Sequence, residues 1–113
     1  LYKKIKINYD SLMYDVIIEN NKKTFKLKGF CDTGNFLRSD DLIPVVFVNN
    51  KFKMGTYLKT ISFNTVMNEL KVDVYIVDSF KIKMNKKYVL KDVYIAYVDM
   101  AKNVMFGIDI LGG

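Results

Sequence analysis

The stretch Gly29-Phe30-Cys31-Asp32-Thr33-Gly34-Asn35 lies where an alternating strand enters a turn. A carboxylate at the tip of such a loop can be presented to a water molecule, and we expect the glycine to take a backbone conformation barred to other residues and to allow close approach of substrate. The Thr33 hydroxyl can hydrogen-bond to a partner loop and hold two loops in one geometry. The alternative is an ordinary β-turn in which Asp32 forms an Asx hydrogen bond. The tripeptide Asp32-Thr33-Gly34 alone does not decide between these interpretations.

Outward from this stretch, apolar and polar residues alternate with a period of two, which is typical of strands with one wet face. The alternation predicts strands over 5–9, 14–18, 25–29, 44–48, 72–77, 80–84 and 89–99. Turns are predicted at 20–23, 49–50 and 85–87, because Asn tolerates the positive φ of tight hairpins. A helix is predicted only over 60–70. The sequence thus predicts one mostly-β domain over 1–113, with five to eight short strands and at most one or two short helices.

Near the C-terminus, Val104-Met105-Phe106-Gly107 places large apolar residues before a glycine. In single-lobe aspartic peptidases a segment of this shape lies beside the aspartate loop and supports it from below. We therefore expect Phe106 and Gly107 to form the floor of the Asp32 loop, because a fixed carboxylate needs apolar support. The alternative is an edge strand that ends at a glycine.

The composition excludes several kinds of active site. The chain has no histidine and a single cysteine, Cys31, so it has no Ser-His or Cys-His pair, no intrachain disulfide and no cysteine-rich zinc site. We expect Cys31 to point into the core, and its free thiol favours a reducing compartment. The net charge is +6, but only Arg38 among the 18 basic residues is an arginine. This favours solvated lysine faces over a nucleic-acid-binding surface.

Amide hydrolysis by carboxylates needs two of them, one ionised to activate water and one protonated to polarise the carbonyl. Two carboxylates about 3 Å apart share one proton. The chain of 113 residues is too short for two lobes, and it has no second Asp-Thr-Gly or Asp-Ser-Gly. Asp40 and Asp41 are interpreted as a solvated loop, and Asp109 as a helix-start or cap residue. The second carboxylate is therefore expected from Asp32 of another copy across a two-fold axis.

The order Asp32-Thr33-Gly34-Asn35, Leu37 and then Ile43-Pro44-Val45 resembles the sporulation sigma-E factor-processing peptidase family (SpoIIGA). In that family a strand leads into Asp-Ser/Thr-Gly-Asn, and a short loop and a Pro-Val strand follow. Residues 60–66 and 72–74 also resemble the middle of its catalytic half. The likeness covers residues 25–111, and its specific part is 29–45. Two departures are Phe106-Gly107, where the family has His-Pro, and the absence of an interface strand after Leu111.

The resemblance implies a single-lobe retropepsin-like (acid protease) β-barrel and an aspartic endopeptidase active as a homodimer. It implies cleavage of the N-terminal prosegment of a sporulation sigma factor precursor. Asp32 is the implied catalytic residue, with Thr33, Gly34 and Asn35 supporting the loop and no cofactor or metal. The implied parent protein has an upstream membrane-spanning region and places this part, a soluble fragment by itself, on the cytosolic, mother-cell side of the sporulation septum. An activating membrane or secreted partner is compatible with this picture, and nucleic acid is not an expected partner.

Two further expectations concern closure and assembly. Gly55 is the only glycine between Gly34 and Gly107, so a hairpin over 49–59 is a candidate flap over the substrate, or a plain turn. The isolated domain is expected to be a weak dimer through residues 2–7 and the Asp32 loops. Its interface should be below about 1,200 Å², and the charge of +6 on each copy opposes association.

Two alternatives to the sporulation peptidase remain open. One is another retropepsin-like peptidase, for example from a mobile element. The other is a non-catalytic basic β-domain that binds a protein or nucleic acid. Replacing Asp32 separates enzyme from binder, because a binding domain would keep its affinity.

Overall fold

The computed structural model describes residues 12–34, 38–64 and 66–112. Their strands form one nine-stranded sheet in the order β4-β5-β8-β3-β9-β2-β1-β6-β7. The strands are β1 Met13–Asn20, β2 Lys23–Asp32, β3 Val45–Asn49, β4 Thr56–Asn64, β5 Glu69–Ile76, β6 Ser79–Met84, β7 Lys87–Leu90, β8 Tyr94–Val98 and β9 Val104–Gly107. Two three-residue 3-10 helices, Asn50–Phe52 and Ile108–Ile110, complete the named elements. The prediction of a mostly-β domain is confirmed.

Two tight hairpins form where the sequence predicts turns. β1 and β2 pair antiparallel around Asn21 and Lys22, whose φ angles are 52° and 67°. β6 and β7 pair antiparallel around Asn85 and Lys86, with φ angles of 50° and 68°. Two consecutive residues with positive φ match the right-handed twist of the flanking strands. These turns are therefore set locally.

β9 is the central strand of the sheet, and it lies between β3 and β2, which come early in the chain. β9 runs parallel to β2 and antiparallel to β3. β3 is also parallel to β8, which pairs with β5 through Tyr75 and Ile95. As a result, the last strand of the chain lies directly beside the end of β2, where Asp32 is found.

Apolar residues pack on both faces of the sheet. Val45 and Val46 are consecutive in β3 yet belong to different clusters, because neighbouring side chains in a strand point to opposite faces. The larger cluster, called the main core, consists of Val16, Ile18, Cys31, Val46, Val48, Phe80, Ile82, Val93, Ile95, Val104, Phe106 and Ile110. The smaller, called the second cluster, consists of Val45, Ile61, Val74 and Ala96 with the partly buried Phe47, Phe63, Val72 and Tyr94.

Three sequence predictions about the fold are wrong. Residues 60–70 are not helical: β4 runs to Asn64 and β5 starts at Glu69, and alternate residues of the two strands join the second cluster. The single strand expected over 89–99 is two strands, because residues 91–93 leave β7 and lead into β8. The nine observed strands exceed the predicted five to eight. The strand expected over 5–9 lies outside the described residues.

Candidate functional site

The Asp32 loop begins at the last residue of β2. The amide N–H of Gly34 donates to Oδ1 of Asp32 at 3.0 Å, which fixes one oxygen of the carboxylate. Asp32 is half-buried, whereas Thr33 and Gly34 are exposed. Gly34 has no positive φ, so the expectation that it adopts a backbone conformation barred to other residues is wrong. A Cβ at Gly34 would lie 3.4 Å from Oδ1 of Asp32, which is an ordinary van der Waals contact, so space does not demand a glycine here.

The floor of this loop is β9. Cys31 is in register with Phe106, and Asp32 is in register with Gly107. The Phe106 side chain is fully buried and makes an edge-to-face contact with Tyr14, with ring centroids 5.7 Å apart. The predicted adjacency of the Asp32 loop and the segment Val104–Gly107 is confirmed, and the edge-strand alternative is wrong because β9 is a central strand.

Cys31 points away from the face that carries Asp32. It is 3% exposed and belongs to the main core, as the sequence predicts. Burial raises the pKa of the Cys31 thiol, and the negative charges of Asp32 and Asp109 raise it further. The thiol is therefore kept protonated, and the residue acts as a small apolar support below the carboxylate.

The face that carries Asp32 is shared with large apolar side chains. Phe30, two residues before Asp32, is in register with Met105, and Met105 is in register with Phe47 of the second cluster. Strand partners in register have their side chains on the same face. Gly107 adds no side chain opposite the carboxylate, and its own backbone is buried. Asp32 therefore faces the side of the sheet on which the second cluster lies.

The segment after the Asp32 loop is closed by a small set of contacts around Arg38. Arg38 forms an isolated antiparallel bridge with Pro44. Its guanidinium donates from Nη1 to the Leu42 carbonyl at 2.8 Å, and Nη2 lies 2.6 Å from Oδ2 of Asp109. Asp109 is in the first turn of the 3-10 helix Ile108–Ile110, whose N-cap is Gly107, so its interpretation as a helix-start residue is confirmed. Sequence reasoning missed Arg38 as a site residue, although it is the only arginine of the chain.

Asp40 and Asp41 are exposed and take part in contacts away from Asp32, in agreement with their interpretation as a charged loop. Nζ of Lys59 lies 2.7 Å from Oδ1 of Asp40 and 3.6 Å from Oδ1 of Asp41. Hydrogen bonds from the Ser39 hydroxyl, and then from the Tyr94 hydroxyl, lower the pKa of Asp41 to about 2. Through Lys59, this loop is joined to β4.

The predicted hairpin over 49–59 is wrong. β3 ends at Asn49 and pairs with β8 and β9, while β4 pairs with β5. Gly55 lies in the connection before β4 with a φ of 96°, and a Cβ there would lie 2.5 Å from the Ile76 carbonyl oxygen. A glycine packed against the end of β5 is not a hairpin tip. The hairpin of this region is β4–β5, and Val66 in its turn is fully exposed.

Two expected site features lie outside the described residues: Asn35 and the N-terminal strand at 2–7. Within residues 12–34, 38–64 and 66–112, no group of His, Cys, Asp and Glu side chains is placed to hold a metal ion. No helix in these ranges is long and apolar enough to cross a membrane. No protein-family model matches the chain, and no curated protein matches it significantly.

Proposed function

We propose that this protein is an aspartic endopeptidase that is active as a homodimer, with Asp32 of each copy forming the catalytic pair. The observation that carries the proposal is the parallel register of Asp32 with Gly107, together with the bond from the Gly34 amide to the Asp32 carboxylate. Two distant parts of the chain meet here to hold one carboxylate over an apolar floor. Such support of a reactive group is what catalytic geometry requires.

The chemistry of the pair follows from two carboxylates that share one proton. The ionised Asp32 takes a proton from a water molecule, and the water oxygen bonds to the carbonyl carbon of the peptide. Asp32 of the partner subunit gives its proton to the carbonyl oxygen, which produces a tetrahedral diol. The first Asp32 then passes its proton to the amide nitrogen as the C–N bond breaks. A hydroxyl of the diol returns a proton to the partner carboxylate, which restores the starting state.

An extended peptide is the substrate that fits this arrangement. The face of Asp32 continues through Phe30, Met105 and Phe47 to the second cluster, so apolar side chains on both sides of the scissile bond would find apolar contacts. In this proposal, the sheet and the β4–β5 hairpin form one retropepsin-like lobe, and the hairpin closes over the peptide. Two observations support that role. Lys59 attaches the base of the hairpin to the loop at 40–41, and Val66 in the turn of the hairpin is exposed.

The resemblance to the sigma-E factor-processing family points to the N-terminal prosegment of a sporulation sigma factor precursor as the substrate. In this proposal a membrane region of the parent protein holds two copies together. Close tethering raises the effective concentration of a second copy to the millimolar range for short linkers, about 1 mM. This would compensate for the repulsion between two copies that each carry a charge of +6.

The proposal is tested with two copies of the chain joined by a flexible linker and incubated with the sigma factor precursor and with apolar peptides. We expect Asp32-dependent cleavage. Replacing Asp32 by Asn in only one of the two copies should already abolish it, because the dyad needs both carboxylates. Asp92→Asn, an exposed carboxylate between β7 and β8, is the matched control and should leave cleavage unchanged.

Each outcome of this test discriminates between the candidate functions. Cleavage that persists with Asn at both Asp32 positions would end the peptidase proposal. Binding of the precursor with no cleavage, at an affinity that the Asp32→Asn variant keeps, would favour the non-catalytic binding domain. Cleavage of apolar peptides but not of the precursor would favour another peptidase of the same chemistry.

A further inference from the structure

Arg38 is the only arginine of a chain that otherwise uses lysine for its basic residues. Arg38 also connects two segments near Asp32, the loop at 38–44 and the turn after β9 that holds Asp109. The Arg38 backbone forms an antiparallel bridge with Pro44, which closes the loop between these two residues. The Arg38 guanidinium reaches Asp109, two residues beyond the Gly107 that faces Asp32. The side chain therefore ties the segment after Asp32 to the segment after its floor strand.

Both contacts of the guanidinium use the planar fork of arginine. Nη2 pairs with the Asp109 carboxylate at 2.6 Å while Nη1 donates to the Leu42 carbonyl at 2.8 Å. A lysine has one ammonium group on a flexible chain, so it cannot hold two acceptors in this fixed geometry. The chemistry of the site thus accounts for an arginine at this one position.

The Leu42 contact is made where the backbone is strained. Leu42 has a φ of 65°, in the left-handed region that side chains other than Gly, Asn and Asp rarely adopt. Its side chain is 71% exposed, so burial does not explain why it is held there. The Leu42 amide donates to the Ser39 carbonyl at 2.9 Å, and its own carbonyl accepts from Arg38. These two bonds hold the turn in its strained conformation.

We propose that Arg38 is a positioning residue for Asp32: its fork locks the loop at 38–44 onto the turn after Gly107, the residue paired with Asp32. This inference rests on the proposed peptidase function, and it concerns the same site. Arg38 acts through Asp109 and the pairing of Gly107 with Asp32, and it touches neither the substrate nor the reacting atoms. A displacement of the carboxylate by about 1 Å is enough to reduce a rate about 100-fold. The pair is partly exposed, with 40% of the Arg38 side chain and 20% of the Asp109 side chain open to solvent, so we expect its loss to change the rate more than the stability.

The proposal is tested in the linked dimer with Arg38→Ala and Arg38→Lys in both copies. Lys81→Ala is the matched control, because Lys81 pairs with Glu19 at 3.1 Å, is 39% exposed against 40% for Arg38, and lies on β6 away from Asp32. We expect Arg38→Ala to lower kcat about 10- to 100-fold with KM nearly unchanged. Arg38→Lys keeps the charge but not the fork, so it should restore at most a small part of kcat. Lys81→Ala should cleave like the wild type.

A second measurement does not depend on cleavage. The Gly34 amide, which is bonded to the Asp32 carboxylate, reports the order of the loop through its hydrogen exchange. We expect Arg38→Ala and Arg38→Lys to speed exchange at Gly34 about 10-fold or more relative to Lys81→Ala. If this acceleration occurs but no Asp32-dependent cleavage is found, the peptidase proposal fails, while the positioning role of Arg38 at the Asp32 loop is supported. The positioning role is refuted if both Arg38 variants keep the wild-type exchange rate of Gly34. It is also refuted if Arg38→Lys keeps the full kcat. Should Arg38→Ala fail to fold, Arg38→Lys alone decides between these outcomes.

Discussion

The floor of the Asp32 loop gives the sharpest test of how the fold supports the site. In Phe106→Ala, a side chain that is 0% exposed is lost from the main core beside Cys31. Truncating a buried Phe costs about 3–5 kcal/mol, including the cavity that remains. About 0.5–1.5 kcal/mol of this belongs to the edge-to-face contact with Tyr14. For a chain of 113 residues the total stability is about 6–17 kcal/mol, so the loss is a large fraction of it.

Thermal and urea unfolding measure this loss directly. At about 4 °C per kcal/mol for a domain of this size, Tm should fall by about 12–20 °C. Phe80→Ala is the matched control, since Phe80 is a phenylalanine of the same core with 1% exposure on β6. It should destabilise the fold by a similar amount, yet only Phe106→Ala should also accelerate hydrogen exchange at Gly34.

Two results would contradict this reasoning. A loss below about 1 kcal/mol in Phe106→Ala would show that the side chain does not fill the core as its burial indicates. An equal effect of Phe80→Ala on the Gly34 amide would show that the loop responds to overall stability and not to its floor. Asp32→Asn should leave Tm almost unchanged, because the carboxylate is half-buried at the end of β2 and belongs to neither apolar cluster.

Two further predictions concern the connection before β4 and the acidic loop. Gly55→Ala should lower the free energy of unfolding in urea by about 2 kcal/mol or more. The reason is that Gly55 has a φ of 96° and the new methyl group would lie 2.5 Å from the Ile76 carbonyl oxygen. An unchanged free energy of unfolding would show that this connection rearranges freely. The pKa of Asp41 is lowered to about 2, first by the Ser39 hydroxyl, so its stabilising contribution is present above about pH 4 and is lost as the pH falls toward 2. The urea midpoint of the wild type should therefore fall over this pH window more than that of Asp41→Asn, and identical pH profiles would contradict the assignment.

The local parts of the fold follow from residues that are near one another in the sequence. The hairpin turns at Asn21-Lys22 and Asn85-Lys86 need positive φ, and the Asn residues that open them mark the turns directly. Alternation of apolar and polar residues likewise predicts the strands around these turns. The Asp32 motif and its apolar floor segment were also recognisable, because each depends on a few adjacent residues.

Tertiary structure decided which strands meet outside these two hairpins. The sequence predicts a helix over 60–70, whereas β4 runs to Asn64 and β5 starts at Glu69, because packing of Ile61 and Phe63 in the second cluster overrides a weak local preference. The sequence predicts that Val104–Gly107 lies beside the Asp32 loop, but it gives no sign that β9 also pairs with β3, because no short turn connects these two strands. The same holds for Arg38 and Asp109, which are 71 residues apart in the sequence and meet only through that strand order. Sequence determined the two tight hairpins and the carboxylate motif, and long-range pairing decided the strand order and the contacts around Asp109.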